Sequence, residues 1–253
     1  MGYTLLGQKG TKSNIFRTID ETNYAISSIK NILKNIEFDE TKLNIAIAGE
    51  SSGAHQALLY SYLNKKNTEI PVKFVINFFA PVTLERQYYY KLVDNQPFNN
   101  IDPETIAEAE KNKTIEKLNT TLLNPSSFVN YMNLFIGNLF SNDELKKMIK
   151  DGEIDIENEE YKKLLNKAKY GFPVTFITNN SLPTISVYGG VDDVIGIKHY
   201  AYLKSIFEEK GHYNNVLIYG KEFNHVYFFY QDKNTFEQLL FQIQNFTGLY
   251  ILK

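Results

Sequence analysis

The chain has 253 residues, 43% of them hydrophobic and 22% charged, with a formal net charge of -2. That is long enough for one large domain with a full core, or a sheet domain carrying a smaller insertion, and the balanced charge offers no electrostatic footprint for nucleic acid or an acidic membrane surface. With no cysteine in the sequence, disulfides, thiolate metal sites and a cysteine nucleophile are excluded.

The N-terminus, Met1-Gly2-Tyr3-Thr4-Leu5-Leu6-Gly7, lacks the basic-then-apolar order of a signal peptide. A cytoplasmic location is the default expectation. No apolar run approaches the roughly 18 residues of a membrane span, so none is expected. Residues 3 to 6 have the character of a strand end, and a polar loop follows through Asn14. From about Asp20 to Asn35, Ala25, Ile29, Ile32 and Ile36, with Ile26 and Leu33, recur at helical spacing.

Asn44 to Ala48 reads as a strand and Ser52 to about Leu63 as a helix. Between them Gly49-Glu50-Ser51-Ser52-Gly53 fits G-x-S-x-G, the nucleophile elbow, in which a sharp strand-to-helix turn holds a serine hydroxyl out over a sheet edge. The glycines are needed where the turn brings backbone too close for a side chain. Val72 to Phe79 follows as a buried strand, apolar apart from Lys73 and Asn77 and stopped at Pro81.

Between about Leu84 and Tyr170 helical patterns replace strand signals. A helix is expected over Pro103 to Leu118, another opened by Asn124-Pro125-Ser126, and a third opened by the capping box Ser141-Asn142-Asp143-Glu144. This stretch reads as an inserted helical cap, residues 84–170, on a core made of 1–83 and 171–253. Within it Asp151 to Glu160 holds six acidic residues and reads as solvated surface, while Phe128, Tyr131, Met132, Phe135 and Phe140 read as core. Strand character returns at Thr184 to Tyr188, then a helix from about Lys198 to Lys210, a strand Val216 to Tyr219 and a final helix from about Asn234 to Phe246. Strands alternating with helices imply a mainly parallel sheet covered on both faces.

A serine at an elbow needs a base within hydrogen-bond reach and an acid to orient that base. The chain has four histidines. His55, four residues past Ser51, is expected to pack or hydrogen-bond locally. His199 falls in the first turn of a helix, and His212 in a turn before a strand. His225 follows a strand in a loop at the carboxyl edge, where parallel sheets place their sites, and is the candidate base. Asp192 and Asp193 follow the preceding strand on the same edge. Asp192 is the preferred acid and Asp193 the reserve; both could instead cap the next helix. The backbone N–H of Ser52 is a candidate oxyanion donor, and Glu50, just before the serine, a candidate substrate contact.

The stretches Gly49-Glu50-Ser51-Ser52-Gly53-Ala54-His55, Pro173-Val174-Thr175-Phe176-Ile177, Leu182-Pro183-Thr184-Ile185-Ser186-Val187-Tyr188-Gly189-Gly190-Val191-Asp192 and Asn224-His225 together resemble the α/β-hydrolase fold, within it the carboxylesterase and acetyl-esterase-like group. The resemblance implies a serine hydrolase of carboxylic esters with Ser51 as nucleophile, Asp192 as acid and His225 as base, acting on a small-molecule ester without cofactor. Tyr188 stands where that group has a histidine outside the triad. Gly2-Tyr3-Thr4-Leu5 resembles the end of the group's fourth strand, so about three strands and the H-G-G loop, which carries half of the oxyanion hole, have no counterpart here.

Two expectations follow from that difference. The strand before the elbow should present an unpaired edge, open to homo-oligomer formation. A catalytically impaired domain acting as a binding module, or a shortened gene product, is the alternative to an active enzyme. A metal or nucleotide role is not expected, since no histidine pair has ligand spacing and no Gly-rich phosphate loop precedes a helix.

Overall fold

The computed structural model describes residues 14–33, 43–63, 70–85, 124–221, 223–225 and 233–252, together with Tyr88 and the short pieces 90–92, 111–112 and 115–117. Expectations for residues 3 to 6, and for most of the Pro103 to Leu118 helix, lie outside the described residues.

Four strands form a parallel sheet: β1 (Ile45–Glu50), β2 (Val72–Phe78), β7 (Thr184–Gly189) and β8 (Asn215–Gly220), in that spatial order. Among the described residues β1 pairs only with β2, and its burial alternates, with Ala46, Ala48 and Glu50 exposed. Successive strand residues point to opposite faces, and the two faces bury different partners. Phe74 and Ile76 of β2, Ile185 and Val187 of β7 and Ile218 of β8 pack with Leu239 and Phe246 of α7 (Lys233–Phe246). On the other face Val75 and Tyr188 join α1 (Ile15–Leu33), α2 (Ser52–Leu63) and α6 (Lys198–Glu209) in a larger core.

Helix α2 begins and ends where the sequence puts it, and Ala54 through Tyr62 are all buried. A helix covered on every side needs its polar groups satisfied inside. Gln56 donates to the Thr18 carbonyl and to Thr22 Oγ1 (2.7 Å), and the Tyr60 hydroxyl donates to Asn23 Oδ1 (3.2 Å), which fastens α2 to α1. Helix α1 starts at Ile15, five residues before the expected Asp20. Asn14 Oδ1 accepts the Arg17 N–H at 3.0 Å, an N-cap bond, and Ile15 and Ile19 extend the apolar face into the core.

In the 84–170 segment, α3 (Pro125–Phe135) is capped by Asn124, and α4 (Asn142–Lys147) carries both hydrogen bonds of the Ser141–Glu144 capping box. Phe128, Met132 and Phe135 are buried, with Tyr131 and Phe140 partly so. Strands also occur here, contrary to the all-helical expectation. Ile115–Lys117 (β4) pairs antiparallel with Tyr90–Leu92 (β3), so the expected helix over Pro103 to Leu118 does not extend to its end. The acidic stretch holds the two-residue strand Glu153–Ile154 (β6), paired with Ile149–Lys150 (β5), and then the start of α5 (Glu159–Lys169). Asn158 caps α5 by accepting from Glu160 N and Tyr161 N, and Glu159 and Glu160 lie at the positive end of the helix dipole. After it comes the 3₁₀ turn Pro173–Phe176. Among the described residues no helix is long and apolar enough to cross a membrane.

Candidate functional site

The turn between β1 and α2 is built around Ser51. Its φ is +52°, a left-handed conformation that costs a non-glycine residue about 1–2 kcal/mol. The cost is held in place from both sides: Ser51 N–H donates to the Phe78 carbonyl at 2.8 Å, extending the β1–β2 ladder, and its own carbonyl accepts from His55 N at 3.0 Å, starting the helix. A Cβ on Gly49 would lie 2.3 Å from the Gly53 carbonyl oxygen, so only glycine fits there. Ser52 opens α2, which puts its N–H in the first helical turn, where donors point along the axis away from the helix.

Asp192 follows β7 and is 1% exposed, whereas Asp193 is exposed. One oxygen of Asp192, Oδ1, accepts from the N–H groups of Val194 and Ile195, each at 2.8 Å. The other, Oδ2, accepts from His225 Nδ1 at 2.9 Å. Capping a turn and orienting a histidine are therefore both done by one carboxylate.

The two loops that carry this pair are laced together. Gly190 N–H donates to the Gly220 carbonyl at 2.9 Å and Val191 N–H to the Phe223 carbonyl at 3.2 Å. A Cβ on Gly189 would stand 2.2 Å from the Phe223 carbonyl oxygen, so the strand end and the histidine loop can approach this closely only with glycine between them. The Phe79 ring lies 5.8 Å from the His225 ring, and Phe79 itself has φ +57° at the end of β2. Burial by itself lowers the pKa of His225. The hydrogen bond and charge of Asp192, with Glu50 and Asp193 nearby, outweigh it, and the net shift is upward from the ordinary imidazole value.

Ser51, Asp192 and His225 thus stand at the carboxyl ends of β1, β7 and β8, one sheet edge. Among the hydrogen bonds of the described residues His225 is joined to Asp192 and not to Ser51. Glu50 is exposed beside the same edge. His55 is not a local packing residue as expected: its ring faces carbonyls 26 and 116 residues away. His199 and His212 are buried, at 0% and 1% exposure. Burial and the neighbouring His55 push the His199 pKa down to about 3. Among the described residues no group of three His, Asp or Glu side chains is arranged to hold a metal ion.

Sequence reasoning did not find the polar network beneath this edge. Asn77 donates to Ser186 Oγ (3.1 Å) and Tyr188 OH (3.0 Å) and accepts from Ala80 N (2.8 Å), while the Tyr188 hydroxyl donates to the Ala80 carbonyl at 2.9 Å. The available signal was a lone Asn inside an apolar strand, with a Tyr at the resemblance's histidine position.

No protein-family model matches the sequence, and no curated protein is significantly similar to it. Solved structures are similar in fold. A bifunctional GH43-CE protein of Bacteroides eggerthii aligns over 98% of this chain and 27% of its own, with TM-score 0.57 and 16% identity. A truncated carbohydrate esterase from gut microbiota aligns over 91% of this chain and 69% of its own, with TM-score 0.54 and 15% identity. The butyrate-bound thermophilic esterase of Thermogutta terrifontis gives 98%, 69%, 0.52 and 14% in the same order.

The fold is of the α/β-hydrolase type. The chain spans about a quarter of the bifunctional protein and about two thirds of the two esterases, according to the 27% and 69% covered. In this hydrolase-type sheet the edge that carries Ser51, Asp192 and His225 is the carboxyl edge, where open parallel sheets present their ligand sites.

Proposed function

We propose that this protein hydrolyses carboxylic esters through an acyl-enzyme on Ser51. The observation that carries the proposal is the buried Asp192 Oδ2 accepting from His225 Nδ1 on the same sheet edge as a serine held at φ +52°. A neutral imidazole that donates from Nδ1 keeps its lone pair on Nε2, the atom that can take the Ser51 proton as the hydroxyl attacks the ester carbonyl. The imidazolium formed is stabilised by Asp192 and returns the proton to the leaving alcohol. Water then repeats the sequence on the acyl-enzyme. The Ser52 N–H is one donor to the tetrahedral oxyanion, and each such donor is worth about 10²–10³ in rate.

The residues between 84 and 170 form the cap in this reading, on a core of 1–83 and 171–253, and Glu50 borders the substrate path. Esterase names among the similar folds favour esters over other acyl compounds, and the butyrate in one of them favours a short acyl group.

The test is hydrolysis of p-nitrophenyl acetate and butyrate by the wild type, Ser51→Ala and His225→Ala. Turnover by the wild type and a loss of at least about 10³-fold in each variant is expected. Activity that survives Ser51→Ala in pure protein removes the assignment.

A further inference from the structure

His55 lies on the first turn of α2, and its backbone N–H is already bonded to the Ser51 carbonyl at 3.0 Å. Its ring is buried and reaches two distant points of the chain. Nδ1 stands 2.5 Å from the Pro81 carbonyl oxygen, where the chain has just left β2 toward the 84–170 segment. Nε2 stands 2.8 Å from the Gly171 carbonyl oxygen, where the chain has just come back from α5. Both ends of the segment therefore meet beside the Ser51 turn, at one imidazole.

The two ends are held unequally. At the departure, Ala80 N–H donates to Asn77 Oδ1 at 2.8 Å, the Ala80 carbonyl accepts from Tyr188 at 2.9 Å, and Val82 N–H donates to His199 Nδ1 at 3.3 Å. Those side chains come from β2, β7 and α6, so residues 80–82 are fixed without His55. At the return, among the described residues, the side-chain donor to Gly171 is His55. Gly171 itself is seated tightly: a Cβ there would lie 2.3 Å from the Phe135 ring, whose plane also meets the His55 ring edge-on at 6.0 Å. A neutral imidazole has one N–H and can donate to only one of the two carbonyls at a time. The side chains at the departure hold Ala80 and Val82 on either side of Pro81, so that end stays in place without the imidazole, whereas among the described residues no other side chain bonds Gly171.

We propose that His55 is a positioning residue, which ties the returning end of the 84–170 segment to the Ser51 turn and so sets where that segment sits relative to the serine. It takes no part in proton transfer to substrate. Its effect on turnover rests on the reading of Ser51 as nucleophile; its effect on the segment does not.

The experiment uses His55→Phe, which keeps a ring against Phe135 and removes the donor, and His55→Gln, whose single amide NH₂ can reach one carbonyl. Hydrogen–deuterium exchange is followed in peptides covering 165–176, 80–85 and 184–189. The expected result for His55→Phe is exchange at least about tenfold faster over 165–176, with 80–85 and 184–189 changed less than about threefold and partial recovery in His55→Gln. If His55→Phe does not fold, the same comparison is read from His55→Gln alone, with 165–176 still the most affected peptide. Unchanged exchange over 165–176, or equal acceleration in all three peptides, overturns the proposal.

The kinetic arm is separate. On p-nitrophenyl butyrate, His55→Phe raises KM at least about fivefold and changes kcat less than about threefold. A kcat loss matching that of His225→Ala would place His55 in the chemistry and overturn the positioning role. An inactive wild type that still shows the exchange pattern refutes the esterase reading and leaves the positioning role of His55 standing.

Discussion

His225 donates its Nδ1–H to Asp192 Oδ2 at 2.9 Å, while Asp193, one residue further on, is exposed to solvent. Adjacent aspartates with such different surroundings make a direct comparison. Asp192→Asn leaves the imidazole in the wrong tautomer and is expected to lower kcat about 10²–10⁴-fold, whereas Asp193→Asn stays within about threefold. Steady-state hydrolysis of p-nitrophenyl butyrate measures both. Equal losses would mean that Asp192 is only a turn cap.

In the proposed mechanism the raised pKa of His225 sets the acid side of the pH profile. As a base it must be neutral, so kcat/KM rises with pH along a limb whose midpoint lies above the ordinary value of about 6.5. Asp192→Asn removes the main cause of the rise and moves the limb to lower pH. The stability linkage has the opposite sense: a raised folded pKa contributes stability that is present below about pH 6.5 and disappears as pH climbs through the folded value. A midpoint below 6.5 in the wild type would contradict the assignment of His225 as base.

Two other buried histidines add a dependence of stability on acid pH. Desolvation lowers the pKa of His55, and that of His199 to about 3, so both are neutral when folded and take up protons on unfolding. Stability should fall as pH drops below about 6.5, by at most about 1.4 kcal/mol per pH unit for each histidine. Chemical denaturation at pH 7.5 and 5.5 reads the effect, and an equal midpoint at the two values would argue against it.

At Ser51 the left-handed φ of +52° makes a stability prediction independent of activity. Ser51→Gly and Ser51→Ala both lack the nucleophile, but glycine adopts this conformation without strain. The glycine variant should be the more stable by about 0.5–1 kcal/mol, despite its greater unfolded-state entropy. Urea denaturation compares them, and an alanine variant of equal or higher stability would show that the turn is not strained.

Within β2, Asn77 is fully buried and bonds three groups. Asn77→Ala leaves the Ala80 N–H without that acceptor and opens a cavity, which should cost about 2–4 kcal/mol. Tyr188→Phe removes one hydroxyl and should cost about 1–2 kcal/mol. Thermal or urea unfolding measures both, and a neutral Asn77→Ala would show that the network adds nothing to stability.

The sheet was legible in the sequence because β1, α2, β2, β7 and β8 are short elements with strong local signals: Gly49 and Gly53 around the serine, and apolar runs with clean stops. The pairing of Asp192 with His225 was legible because both follow strands at the carboxyl edge. The 84–170 segment was less so. Two-residue strands such as Glu153–Ile154 have no periodicity to detect, and α5 has a strongly polar surface that masks its buried Leu164 and Ala168. His55 was misread as local because spacing along a helix reports its own neighbours, and the Gly171 carbonyl lies 116 residues away in sequence. The same limit hid the Asn77–Tyr188 pair, whose partners are adjacent only once the strands align.

The most direct measurement is the intact mass of the folded protein after exposure to a fluorophosphonate, beside Ser51→Ala and His225→Ala. One adduct per wild-type chain, none on Ser51→Ala and a strongly slowed reaction on His225→Ala are expected. No adduct on demonstrably folded wild type, or an adduct that persists in Ser51→Ala, would contradict it.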